Sequence, residues 1–320
     1  MRFSHKSLAT MSLAVLCSAA AISVPAAEVK LKAASFLPER AVFAKYFYRW
    51  VNSVNKDCAG DVKISVVGPA AIKSLEQWRA LKDGVIDLHY GPPNYYKGAM
   101  VEGDITILAN NSPAKQRANG AWAILNELHN KKLNAQYLTH LSDGVKFYLY
   151  TNKPAVNKRF DGFRLRSVPI YDGFFKTLGA QPLRMAPPAL YTALERGAVD
   201  GYGWPLWGVG DFGWDKHTKY RHGPGFFSAV VNIIANLDKW KGLSDSQRQC
   251  LTDKSVWLES EFPNWRAAED AAQNKVQDDA KIEYVDMGAD FADKAHNLYW
   301  DIMTKANPEM TAKMKPLLLD

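Results

Sequence analysis

The sequence predicts a two-lobed α/β protein with a ligand cleft between the lobes. Three observations point there. Strand and helix patterns alternate from Val29 onward, one helix-glycine-strand unit occurs twice, and each copy runs into a loop of glycine, proline and aromatic residues.

The elements follow in order. Val29 to Ala33 alternates apolar and polar residues as a strand does; Phe43, Phe47, Trp50, Val51 and Val54 then mark one face of an amphipathic helix over 40–55. Gly60-Asp61 stops it, and 62–67 reads as a second strand. Next, Ala80-Leu81-Lys82-Asp83-Gly84-Val85-Ile86-Asp87 is echoed by Ala193-Leu194-Glu195-Arg196-Gly197-Ala198-Val199-Asp200, with an aromatic two places earlier in both copies, Trp78 and Tyr191. Each helix is expected to end on a left-handed glycine, with a short apolar strand beginning at once. The loops beyond are Tyr90-Gly91-Pro92-Pro93-Asn94-Tyr95-Tyr96 and Tyr202-Gly203-Trp204-Pro205-Leu206-Trp207. Open α/β sheets bind ligands at the carboxyl ends of parallel strands, so facing lobes would bring both loops to one cleft.

The chain is expected to leave the first lobe at Asp143-Gly144, ahead of a strand over 145–150. Residues 244–280 read as one long helix, started by Leu243-Ser244-Asp245 and kinked or broken at Pro263, long enough to cross between lobes. The lobes are therefore interwoven: 28–143 with 232–262, and 144–231 with 263–320.

A chain of 320 residues, 47% hydrophobic and 23% charged, with 3 cysteines, is neither disordered nor a disulfide scaffold. Its start has the form of a secretory signal over residues 1–27: a basic segment with Arg2, His5 and Lys6, an apolar run from Leu8 to Val24, and small residues at Val24-Pro25-Ala26-Ala27. A periplasmic protein, not embedded in a membrane, is expected. Loss of Arg2 and Lys6 lowers the formal charge from +7 to +5, and the remaining basic residues are scattered, which speaks against nucleic acid as a partner. Cys58 and Cys250 remain, and an oxidising compartment permits them to pair; their spacing leaves this open.

The chain has no Gly-x4-Gly-Lys-Ser/Thr loop, no Cys-x-x-Cys, no His-Glu-x-x-His and no Gly-x-Ser-x-Gly elbow. Neither catalysis nor a metal or other cofactor is expected. Binding remains. Arg164 and Arg166 lie on one face of a predicted strand over 163–168, and a guanidinium fork suits a carboxylate. Alternation alone does not separate a ligand-binding arginine from a pair of surface arginines.

Several of these segments together resemble one family. Phe160-Asp161-Gly162-Phe163-Arg164-Leu165-Arg166, Leu178-Gly179-Ala180-Gln181-Pro182 and Tyr191 through Gly201 are similar to the central signature of DctP-type substrate-binding proteins of TRAP transporters. The likeness extends over nearly the whole mature chain. It implies a type II-like periplasmic binding protein fold with an interlobe cleft and a long interdomain helix. It also implies a periplasmic receptor that closes around an organic anion and passes it to membrane permease subunits; a monomer is expected, although the sequence does not fix the oligomeric state. Arg166, the second arginine of the strand, is thereby implied as the partner of the ligand carboxylate.

Lys146 stands where sialic-acid-binding members carry another arginine, and Trp204 where many members have asparagine. Gly203 takes the place at which some keto-acid-binding members hold a metal through a carboxylate, so a metal-bridged ligand is not expected. The aromatic residues Trp204, Trp207, Tyr90, Tyr95 and Phe36, with Asn94 in the first loop, point to a flat or apolar ligand body. The expected ligand is an organic monocarboxylate, aromatic or hydroxy- or keto-substituted. A solute receptor of an ATP-driven importer, a periplasmic enzyme acting on an organic acid and a sensor's receptor are the alternatives.

Overall fold

The computed structural model describes residues 27–320. The signal expected over 1–27 lies, but for Ala27, outside the described residues. The chain begins β1 (Val29–Ser35), α1 (Val42–Asp57), β2 (Val62–Val67), α2 (Gln77–Lys82), β3 (Leu88–Gly91), α3 (Pro113–Ala118), α4 (Ala121–Leu133) and β4 (Ala135–Leu141). It continues through β5 (Lys146–Thr151), β6 (Arg164–Ser167), α5 (Asp172–Thr177), β7 (Gln181–Arg184), α6 (Pro187–Glu195), β8 (Gly201–Pro205) and β9 (Tyr220–Ser228). The last elements are β10 (Val231–Asn236), α7 (Leu237–Lys241), α8 (Asp245–Asp279), β11 (Glu283–Asp286), α9 (Phe291–Ala306) and α10 (Pro308–Leu318).

Two mixed sheets result, ordered β2-β1-β3-β10-β4 and β11-β9-β5-β8-β6-β7. Both follow one plan. An edge strand and its neighbour run parallel (β2 and β1, β7 and β6), the next strand is parallel again (β3, β8), and the fourth is antiparallel (β10, β5). That fourth strand opens directly after a crossing between the sheets. β4 ends in the first sheet at Leu141 and β5 opens in the second at Lys146, while β9 ends in the second at Ser228 and β10 opens in the first at Val231. The two lobes are thus joined by two short crossings.

The internal echo is a structural repeat down to its hydrogen bonds. Gly84 and Gly197 have φ of 74° and 64°, the left-handed region that a side chain disfavours. The next N–H reaches back in both copies, Val85 to the Ala80 carbonyl and Ala198 to the Ala193 carbonyl, each at 2.8 Å. Closing this cap takes three residues. The strands therefore start at Leu88 and Gly201, later than the expectation of an immediate start. The aspartate between cap and strand then clamps the neighbouring strand. Asp87 N–H donates to the Lys32 carbonyl and its Oδ2 accepts from Lys32 N–H, while Asp200 does the same with Arg164.

α1 lies against the first sheet through a fully buried apolar face; the Phe47 ring stacks on Tyr90 at 4.6 Å. α8 opens with a capping box, Ser244 Oγ accepting from Gln247 N–H and Gln247 Oε1 accepting from Ser244 N–H. It runs 35 residues through Pro263, so the proline does not break it. Its first half is tied to the first lobe, where Glu259 accepts from Thr139 and Arg117. Its second half is tied to the second lobe, where Gln277 donates to the Leu206 carbonyl and Arg221 donates to Gln277. Helix α8 therefore spans both.

Cys58, just after α1, is disulfide-bonded to Cys250 in the first turns of α8, with the Cα atoms 6.3 Å apart. The segment beyond α8 differs from the expectation that it stays with the second lobe. β11 does join the second sheet, but the carbonyls of Leu317 and Leu318 in α10 accept bonds from Asn111, Asn119 and Asn110 of the first lobe.

Replacing Asp87 or Asp200 by alanine removes the side-chain half of the strand clamp and is expected to cost about 0.5–1.5 kcal/mol in urea unfolding. Breaking the Cys58–Cys250 link, which closes a loop 192 residues long, is expected to cost about 3–5 kcal/mol in the same assay.

Candidate ligand-binding site

The two aromatic loops meet across one cavity of about 50 Å³ between the sheets. Phe36, Pro92, Asn94 and Tyr95 come from the first lobe, Arg166, Val168, Tyr171, Trp204 and Pro205 from the second, and Ala229 to Val231 from a crossing. The walls are apolar with few exceptions. The principal one is Arg166.

Arg166 sits in β6 between β7 and β8, opposite Leu183 and Tyr202. Its side chain is 0% exposed. Nε donates to the Met185 carbonyl at 3.0 Å and Nη1 to the Gly203 carbonyl at 3.3 Å, while Nη2 has no protein partner. No carboxylate pairs with it among the described residues. Burial pulls the guanidinium below its ordinary pKa, an effect opposed by the Tyr95 and Tyr171 hydroxyls nearby; an arginine nonetheless keeps its charge. The Trp204 ring centre lies 5.5 Å from the guanidinium carbon. Arg164, two residues earlier on the same face, has quite different surroundings: its Nη2 donates to the Gly197 carbonyl and its Nε faces Asp200 at the half-exposed rim.

The carbonyl that holds Nη1 depends on a missing side chain. A Cβ on Gly203 would come within 2.8 Å of Phe175 and 2.9 Å of the Tyr171 ring, which forms a cavity wall.

Five of the eight side chains expected at the ligand lie on this cavity: Phe36, Asn94, Tyr95, Arg166 and Trp204. Three lie elsewhere. Tyr90 is in the core of the first lobe, stacked on Phe47, with its hydroxyl donating to the Phe43 carbonyl at 2.7 Å. Trp207 is wholly buried between Phe43, Tyr46 and Phe262 and donates to Asp270. Lys146 opens instead onto a separate polar cavity beside the crossing, with His140, Asp143, Glu259 and Arg266. The reason is the two-residue period of a strand: Phe147, the next residue of β5, takes the face toward the ligand cavity and Lys146 the opposite one.

Phe43, Ile107, Phe147, Val168 and Tyr171 line the cavity without having been singled out from the sequence. Phe147 could have been found by placing β5 in phase. For Tyr171 the sequence holds no signal, since it follows β6 in an irregular turn ahead of α5.

A Gly203→Ala change is expected to push Tyr171 or Phe175 off its place, lowering stability by about 1–3 kcal/mol and weakening ligand binding, as read by thermal unfolding and calorimetry.

Comparisons with known proteins bear on the fold. A Bordetella pertussis extracytoplasmic solute receptor binding pyroglutamic acid superposes with a TM-score of 0.80 at 15% identity, over 91% of this chain and 99% of that one. A TRAP solute-binding protein from Ralstonia eutropha with bound (S)-2-acetolactate gives 0.76 at 18% identity, over 90% and 98%. A marine metagenome TRAP protein specific for aromatic acid ligands, in complex with 3-hydroxybenzoate, gives 0.76 at 19% identity, over 92% and 98%. These likenesses establish the two-lobed fold. Residues 33–306 match the family model DctP, bacterial extracellular solute-binding protein family 7, and the chain belongs to that family.

Proposed function

We propose that this protein is the periplasmic receptor of a TRAP transporter that binds an organic monocarboxylate between its lobes and delivers it, chemically unchanged, to the membrane permease. The observation that carries this reading is the guanidinium of Arg166, fully buried with an unpartnered Nη2 on the wall of an apolar interlobe cavity. Burying an uncompensated charge costs several kcal/mol, and a carboxylate that accepts from it relieves that cost through a charge-assisted hydrogen bond. The apolar walls then take up the ligand body.

The lone cation favours one carboxylate over two. The aromatic rings of Phe36, Tyr95, Tyr171 and Trp204 favour a flat or apolar body, as in the neighbour with bound 3-hydroxybenzoate. Closure by a hinge at the two crossings, with α8 as the bridge, would exclude water from the ion pair.

A thermal-shift panel of small organic acids, sugars and amino acids identifies the ligand class. Stabilisation by neutral sugars alone would overturn the carboxylate reading. For the acid that binds best, calorimetry is expected to show at least about 100-fold weaker binding in Arg166→Met and almost as large a loss in Arg166→Lys, whose point charge lacks the planar fork. Lys146→Met should change affinity little, because that side chain faces the other cavity.

A further inference from the structure

We infer that Asn94 makes the site selective for carboxylates that bear a hydrogen-bond donor on their body, a hydroxyl or a lactam N–H, over acids that lack one. This rests on the reading of Arg166 as the carboxylate partner and narrows the ligand class that reading leaves open.

Asn94 carries an orphaned polar atom. Asn94 lines the same cavity as Arg166, its residue is 8% exposed, and its Oδ1 is buried with no protein partner. None of the donors around that cavity bonds to it; the Tyr95 and Tyr171 hydroxyls line the same walls without reaching it. Trp204 Nε1 is committed to the Trp207 carbonyl, and Arg166 Nε and Nη1 to the carbonyls of Met185 and Gly203. Phe36, Pro92, Ile107 and Val168 have none to give. A buried amide oxygen left in this condition is unfavourable, and a donor on the ligand corrects it; an acid without that donor leaves it uncorrected.

Asn94 is also held in place. It stands in a 3-10 turn over Pro93–Tyr96, preceded by Pro92 in extended conformation. The turn is pinned at its far end, where the Tyr96 hydroxyl contacts His129 and accepts from Asn232 on β10. Because the turn is held, the backbone that carries Asn94 does not move aside for a poor ligand. The cavity thus presents a donor for the carboxylate at Arg166 and an acceptor for a second polar group at Asn94.

The test uses matched acids in calorimetry: lactate, propionate and pyruvate; mandelate, phenylacetate and phenylglyoxylate; pyroglutamate and cyclopentanecarboxylate. In at least one set the donor-bearing acid is expected to bind about tenfold tighter or better than its unsubstituted and keto analogues. Asn94→Leu should erase that preference by weakening the donor-bearing acid alone, with Asn94→Ala as the second variant should leucine disturb the fold. Equal binding of hydroxy and keto acids, or an equal loss for all acids in both variants, would overturn the inference while leaving Arg166 in its role. If no acid binds, or if binding survives intact in Arg166→Met, the carboxylate reading fails and this inference with it.

Discussion

A guanidinium taken out of water needs a negative partner, and the chain supplies none to Arg166 among its described residues. Much of the site can be understood from that deficit. Two of the donor groups of Arg166 are held by main-chain carbonyls, which fix its direction without neutralising its charge. Carbonyl dipoles, two phenol hydroxyls and an indole face make the buried cation tolerable. They do not satisfy it. In the proposed function a carboxylate from outside does, and the deficit is then the source of specificity for charge.

The repeated architecture places that cation. Asp200 clamps β8 to β6 as Asp87 clamps β3 to β1, so Arg166 is carried on a strand fixed from both sides. The loops that follow β3 and β8 emerge at matching ends of the two sheets and face each other. The fourth strand of each sheet, β10 or β5, opens directly after a crossing, so each crossing runs straight into the sheet it enters. The short crossings and α8 connect the two lobes, and Ala229 to Val231, which belong to one crossing, are themselves part of the cavity wall.

A large part of this could be read from the sequence. Alternation gave β1, β2, β5 and β6 within about two residues of their limits; the five apolar positions of α1 fell on its buried face; and the helix-glycine-strand echo marked the true repeat. The site was legible in part. Arg166, Asn94, Tyr95, Phe36 and Trp204 lie on the cavity, whereas Lys146, Tyr90 and Trp207 do not. The misplaced residues have a common cause. An aromatic or a lysine in a loop or strand near a site is chemically suited to it, but which way it points depends on strand phase and on what packs behind it.

The sequence by itself determined the local rules: which segments form helices and strands, where glycine must turn the chain, and which residue types have the chemistry to hold an anion. These follow from periodicity and from single-residue preferences, which act over a few positions. Tertiary structure alone decided that, among the described residues, Arg166 lacks a counter-ion and Asn94 Oδ1 a donor, and that Phe147 and not Lys146 faces the interlobe cavity. Each of these is a statement about what lies within a few ångströms of an atom, contributed by strands and loops tens to hundreds of residues away, and no local pattern carries that information.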